Sequence, residues 1–380
     1  MFKRPYWLGK ILAAWEKRPI AWLAGVRRVG KTTLAKMIPD ALYLNCDLPS
    51  DVGRLDDPEF FFRSIPGGTR VVLDEIHRLA DPSRVLKIAA DSFPSLRILA
   101  TGSSTLAATK KFRDSLTGRK IEIRLPPVLW TESGAAFGIA DLDRRLLHGG
   151  LPEFLLAKTK DGSLFTEWMD GFYARDIQEL FAVRERTGFL NLFRLMLRQS
   201  GGLADYSALA RECDISRPTV KSFLEALGTA LSLAAVPPFH GGSRREIIKR
   251  PKVYGFDTGF VTHAQGRSGL RDEDRGLLWE HLVLDVLRDV AGPENVHFWR
   301  NKSGAEVDFV VRKGGDVWAV ECKLSPQGFS PKGLAAFRDL HPGGKNFMVS
   351  PFPAEPHERQ FGGLTVGITG LDGLAKRLAG

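Results

Sequence analysis

Three patterns in this sequence predict an α/β protein built as three units, at about residues 1–140, 141–250 and 251–380. From Ile20 to about Leu125, short apolar runs alternate with helical patterns, the rhythm of βαβ units around a parallel sheet. Between about Leu146 and Leu233 the pattern turns mostly helical. After Val253 it is mixed again, with a long helix near Leu277–Val290 and a hairpin near Glu306–Glu321. At 380 residues the chain is also too long for one ordinary core.

Composition narrows the class. Charged residues make up 26% and hydrophobic ones 43%, which excludes a disordered chain or a fibre. The longest uncharged stretch, Ala226–Ser243, contains Pro237, Pro238 and His240 and is no spanning helix, so no membrane is expected. Lys3 and Arg4 are followed by no apolar signal region. Cys46, Cys213 and Cys322 are far apart and odd in number, which argues against a disulfide framework or a zinc site and for the cytoplasm. The net charge is +10, and residues 1–140 hold 22 basic against 14 acidic side chains. A second basic cluster comprises Arg244, Arg245, Lys249, Arg250 and Lys252. This excess suits a polyanion, nucleotide or nucleic acid, although a merely solvated basic surface would read the same way.

In the first unit, residues 1–18 read as a short amphipathic helix, followed by strands at Ile20–Ala24, Tyr43–Asn45, Val71–Leu73 and Arg97–Ala100. Residues 25–32, GVRRVGKT, fit G-x-x-x-x-G-K-[ST] and lie between a strand and a helix. Such a loop curls its backbone N–H groups around phosphate oxygens. Gly25, Val26, Arg27, Arg28, Val29, Gly30, Lys31, Thr32 and Thr33 are therefore the expected ATP-binding residues. Lys31 would reach the β- and γ-phosphates, and the Thr32 hydroxyl would bind magnesium. RVVLDEIHR places Asp74 and Glu75 at the end of a buried strand, where open α/β sheets bind ligands. Asp74 would hold magnesium through water, and Glu75 would polarise the attacking water. RILATGSS ends in Ser103 and Ser104, placed to sense the γ-phosphate.

In the middle unit, DYSALARECDISRPTVKSFLEAL reads as helix, tight turn, helix, with Ser216 as N-cap and Pro218 in the first turn. Thr219, Lys221 and Ser222 then open a candidate recognition helix. SLAAVPPF and GGSRREIIKRPKV would supply the strand and wing of a winged helix that contacts DNA. A rigid spacer or a dimer surface would read alike. Phe172, Tyr173, Phe181 and Phe193 recur at helical spacing and are expected in the core.

In the last unit, a Gly314–Gly315 turn sets the register of AEVDFVVRKGGDVWAVECK. It opposes Lys313 to Asp316, Asp308 to Glu321, and Glu306 to Lys323, with Cβ atoms about 5 Å apart. Two facing carboxylates repel unless a cation lies between them. Two carboxylates and a lysine on one sheet face are the groups used for metal-dependent phosphodiester hydrolysis. The histidines show no metal-ligand spacing, and there is no G-x-S-x-G elbow.

AGVRRVGKTTL, VVLDEIHR, ATGSS, SLTGRKIEIRLPP, GGLPEFL, YARDIQEL, FDTG and EVDFV…VECK occur in that order. With them the chain resembles the AAA-type ATPases, and more narrowly a bacterial and archaeal family that joins such a core to a C-terminal domain. The resemblance implies that Arg119, in SLTGRK, acts on a γ-phosphate in a neighbouring subunit, and hence a homo-oligomer, with a ring as one form. Asp308 and Glu321-Cys322-Lys323 look like the restriction-endonuclease-like PD-(D/E)xK pattern. Glu280 matches that pattern's extra acidic position, so Glu280, Asp308 and Glu321 are the implied ligands for magnesium or manganese. The reading is of an ATP-hydrolysing protein acting on DNA with a metal-dependent nuclease-like domain. Its rival is a nucleotide-operated switch that binds a partner and keeps an inactive nuclease-like domain.

Overall fold

The computed structural model describes residues 3–102, 110–178, 181, 183, 185–240, 250–352 and 355–380. Helix α1 (Pro5–Lys17) buries Trp7, Ile11, Ala14 and Trp15, which helical spacing puts on one face. Trp15 donates its indole N–H to the Ile98 carbonyl at 2.9 Å and so fixes α1 to the first sheet.

That sheet comprises β1 (Ile20–Ala24), β2 (Ala41–Asn45), β3 (Arg70–Asp74), β4 (Arg97–Thr101) and β5 (Lys120–Arg124) in the order β2-β3-β4-β1-β5. All its pairings are parallel. Strand β1 is buried along its whole length, as expected of a parallel strand covered on both faces. Strand β5, KIEIR, lies at the sheet edge with only Ile123 buried, so its sequence alternates charges with isoleucines and has no apolar run. The phosphate loop connects β1 to α2 (Lys31–Ala35).

The middle of the chain contains α3 (Leu142–His148), α4 (Gly162–Phe172), a π-helical turn at Tyr173–Gln178, α5 (Arg186–Arg198), α6 (Tyr206–Cys213) and α7 (Arg217–Thr229). Ser216 caps α7 by accepting from the Thr219 N–H at 3.2 Å, and Pro218 occupies the first turn. Phe172, Tyr173 and Phe193 are core residues. Strands β6 (Gly202–Leu203), β7 (Leu233–Val236) and β8 (Lys252–Gly255) form a small antiparallel sheet in the order β6-β8-β7. A division at residue 250 would separate β8 from its partner β7. The wing residues 241–249, with Arg244, Arg245 and Lys249, lie outside the described residues.

Two motifs far apart in sequence meet at the side of this unit. Buried Asp257, in FDTG, accepts from the backbone N–H groups of Gly150 at 2.6 Å and Leu151 at 3.2 Å. It also caps α8 (Thr258–Ala264) through the N–H groups of Gly259 at 2.8 Å and Phe260 at 3.3 Å. A Cβ at Gly149 would lie 1.9 Å from the Asp257 Oδ1, and Gly149 has φ +86°, so only glycine fits there. Arg145, fully buried, donates to the Val128 carbonyl and the Thr258 hydroxyl, each at 3.0 Å.

The C-terminal sheet contains β9 (Val296–Arg300), β10 (Glu306–Lys313), β11 (Asp316–Cys322), β12 (Asn346–Val349), β13 (His357–Phe361) and β14 (Leu364–Thr369), ordered β13-β14-β12-β11-β10-β9. Helices α9 (Asp272–Ala291), α10 (Lys332–Arg338) and α11 (Leu371–Ala379) pack on it or on one another. The hairpin pairs Lys313 with Asp316 and Phe309 with Val320, the register set by the Gly-Gly turn. Among the described residues no helix is long and apolar enough to cross a membrane.

Candidate functional site

The phosphate loop leaves the C-terminal end of β1 into a cavity of about 560 Å³. Loop residues Arg27 to Thr33 line it, with Glu75 and His77 beyond β3 and with Pro152, Glu153, Arg175 and Asp176 from the middle unit. Gly25 must be glycine because a Cβ would approach the Leu125 carbonyl to 2.6 Å. Gly30, at φ +101°, makes the left-handed step into α2. The Lys31 ammonium turns back on its own loop, donating to the Gly25 carbonyl at 2.9 Å and the Val26 carbonyl at 3.2 Å. Burial pulls its pKa below the ordinary lysine value, against the opposing charges of Glu75, Asp176 and Asp74. An anion entering here would meet a desolvated cation.

Asp74 is buried at the end of β3, where Tyr43 donates to its Oδ2 at 2.5 Å and the Thr101 hydroxyl donates to its Oδ1. Thr101 in turn accepts from the Glu75 N–H at 3.1 Å. Glu75 adopts a left-handed backbone, φ +55°, at the strand end. Burial pushes its carboxyl up, but the His77 ring, 3.2 Å away, and the Lys31 charge outweigh this and hold it below its ordinary range. An ionised carboxylate facing the cavity suits a water-polarising base. The hard oxygens of Thr32 and Asp74 are of the kind magnesium takes, and they would hold it.

Ser103 and Ser104 lie outside the described residues. Arg119 is at the far edge of the sheet: Lys120 pairs with Ile20, the first residue of β1, whereas the loop follows Ala24, the last. It is paired with Asp91 at 2.6 and 3.0 Å and is remote from its own loop. Several groups at or behind the cavity carry no sequence signal as site residues: Arg4 and Asp176, which line it, Tyr43 and Thr101, which hold Asp74, and Glu132, which pairs with Arg4, itself a donor to the Val29 carbonyl at 3.3 Å. Asp176 lies in YARDIQEL, but nothing in its spacing connects it to the loop.

In the C-terminal unit, Asp308 and Glu321 are buried side by side across the hairpin. The Lys323 ammonium lies 2.9 Å from Glu321 and 3.5 Å from Asp308, and the Cys322 N–H donates to Asp308 at 2.8 Å. The expected Glu306–Lys323 pair is not formed. The hairpin ladder reaches only to Phe309 and Val320, and beyond it the Lys323 N–H donates to the Val349 carbonyl of β12, at 3.0 Å. Glu306 instead pairs with Lys252 and, at 3.6 Å, with Arg300. Glu280 accepts from the Tyr254 hydroxyl at 3.2 Å. Burial first, then the Asp308 charge, raises the pKa of both Glu280 and Glu321. Among the described residues no three His, Cys, Asp or Glu side chains form a group that would hold a metal. The cation between the two hairpin carboxylates is Lys323 itself, so the acid–lysine set does not fit a bound metal as it stands.

Residues 17–133 match a family model described as an AAA domain. The first unit is a P-loop ATPase domain. Residues 139–271 and 275–352 match two families described as domains of unknown function, DUF8612 and DUF4143. Among curated proteins, an uncharacterized protein of Mycobacterium tuberculosis is 28% identical over 328 residues, covering 83% of this chain and 72% of its own length. An uncharacterized protein of Haemophilus influenzae is 21% identical over 353 residues, covering 84% and 86%. Among solved structures, a Walker-type ATPase of Pyrococcus abyssi is 17% identical, covering 70% of this chain and 96% of its own, with a TM-score of 0.43. The Orc1 protein of Aeropyrum pernix in complex with DNA is 13% identical, covering 70% and 92%, with a TM-score of 0.30.

Proposed function

We propose that this ATPase domain hydrolyses ATP to drive work on DNA held by the middle unit. The observation that carries the reading is the convergence of Lys31, Thr32 and ionised Glu75 on one cavity at the C-terminal end of the parallel sheet. Lys31 and the loop N–H groups would hold the phosphates, and Glu75 would orient water for in-line attack on the γ-phosphorus. Magnesium at Thr32 and Asp74 would neutralise phosphate charge. Lys31→Ala should lose ATP binding, whereas Glu75→Gln should bind ATP and fail to turn it over. Equal loss of binding in both variants refutes this division of roles.

DNA as the partner is supported by the helix-turn-helix and its paired strands, with Arg217, Lys221 and Ser222 exposed at the start of α7. Lys221→Ala should weaken duplex binding and lower its salt dependence, since a phosphate contact releases a counterion. A salt slope unchanged from wild type excludes that contact.

A second reading assigns DNA cleavage to the C-terminal unit, favoured by buried Asp308 and Glu321 with the partly exposed Lys323 ammonium beside both. The Lys323 bridge opposes it and favours a domain that binds without cutting. Incubating labelled duplex, single-stranded and junction DNA with magnesium or manganese decides between them.

A further inference from the structure

Arg27 is a phosphate-loop residue that lines the cavity beside Asp176. Its carbonyl accepts from the Trp168 indole at 3.1 Å, and α4 makes room for the guanidinium at Gly171, where a Cβ would come within 2.9 Å of Nη1. The guanidinium meets Asp176 at 3.6 Å, an ion pair too long to be a hydrogen bond. Nε and Nη1 are buried and have no hydrogen-bond partner among the described residues. Leaving buried donors unmade is costly and is tolerated where a ligand completes them. Asp176 projects from the π-helical turn, a strained local form common at functional sites. Buried Ile177 and the bond from the Tyr173 hydroxyl to the Val183 carbonyl, at 2.9 Å, anchor that turn.

We propose that Arg27 binds the terminal phosphate of the nucleotide and that Asp176 is its resting counter-ion, a carboxylate that the phosphate must displace. This rests on the ATP reading above. A phosphate oxygen would supply the missing acceptors, and the same negative charge would repel Asp176. Displacement releases the π-turn, which continues through packed rings toward α7, the helix proposed to meet DNA: Tyr173 and Phe189 lie tilted with centroids 5.6 Å apart, and Phe189 and Phe223, on α7, edge to face at 5.2 Å. Nucleotide occupancy is thereby coupled to the middle unit.

The test uses the full chain with magnesium and fluorescent analogues of ATP and ADP. Asp176→Asn should tighten ATP by about two- to five-fold, the worth of a partly exposed ion pair, and leave ADP nearly unchanged. Arg27→Gln should weaken ATP more than ADP, and adding Asp176→Asn to it should recover little. Amide hydrogen exchange at Tyr173–Gln178 should rise with a non-hydrolysable ATP analogue, and should already be high in nucleotide-free Asp176→Asn. Weaker ATP binding by Asp176→Asn, an equal gain for ADP, or unaltered exchange overturns the proposal. Normal ATP binding by wild type, lost in Lys31→Ala, would keep the ATP reading intact in that event. A wild type that binds neither nucleotide overturns both.

Discussion

Asp285 projects from α9 into a cavity of about 500 Å³ bordered by α1, β5, β7 and α9. Burial pushes its carboxyl up to about 7 despite the nearby charges of Arg145 and Arg288, and Asp257 and Asp289 add to the rise. Below pH 3.8 the group is protonated in both folded and unfolded chains, and its burial carries no ionic cost. Between that point and pH 7 only the unfolded chain releases the proton, so stability falls as pH rises and then levels off. Withholding a proton over about three pH units at roughly 1.4 kcal/mol each gives an upper bound of about 4 kcal/mol. Asp285 is only partly buried where it lines this cavity, so solvent screening lowers the expected effect to about 2 kcal/mol. Asp285→Asn removes the titration while preserving shape. In urea unfolding followed by tryptophan fluorescence, variant and wild type should be nearly equal at pH 4. The variant should lead by about 2 kcal/mol at pH 7.5, with no further gain at pH 8.5. A stability difference constant from pH 4 to 8.5 refutes the argument.

Asp257→Ala should lower stability by about 3 kcal/mol, measured as a fall in Tm, because four buried backbone N–H groups lose their acceptor. A change below 1 kcal/mol would mean that water or another group replaces the carboxylate. If Arg119 acts across a subunit boundary, ATP turnover per subunit should rise with protein concentration, and mixing Arg119→Ala with Glu75→Gln protein should restore some activity; constant turnover without rescue leaves its Asp91 pair as the whole of its role. Asp308→Asn should leave ATP turnover near wild type. If the second reading of the C-terminal unit holds, the same variant should abolish the manganese-dependent rise in Tm and any cleavage. Wild type with no such rise keeps Lys323 as the resident cation.

The phosphate loop and the Asp74–Glu75 strand end were legible because each is a continuous stretch of chain. Strand, glycine turn and helix start follow one another in GVRRVGKT, and local steric rules dictate that conformation. The hairpin register was legible for the same reason, since a two-residue glycine turn sets which residues face each other. Asp176 beside Arg27, Asp257 under Gly150 and Lys252 against Glu306 were not, because each joins segments that only packing brings together. Strand β5 has no apolar run in the sequence because an edge strand needs little apolar surface, and its place depends on pairing with β1. Lys323 shows the division within one motif: the sequence placed it next to Glu321, but whether it faced Glu306 or bridged two acids depended on where the hairpin ladder ends and on the partners, such as Lys252 for Glu306, that other segments bring in. Chemistry carried by adjacent residues is written in the chain, whereas the partner of each charge is chosen by the neighbours that tertiary packing supplies.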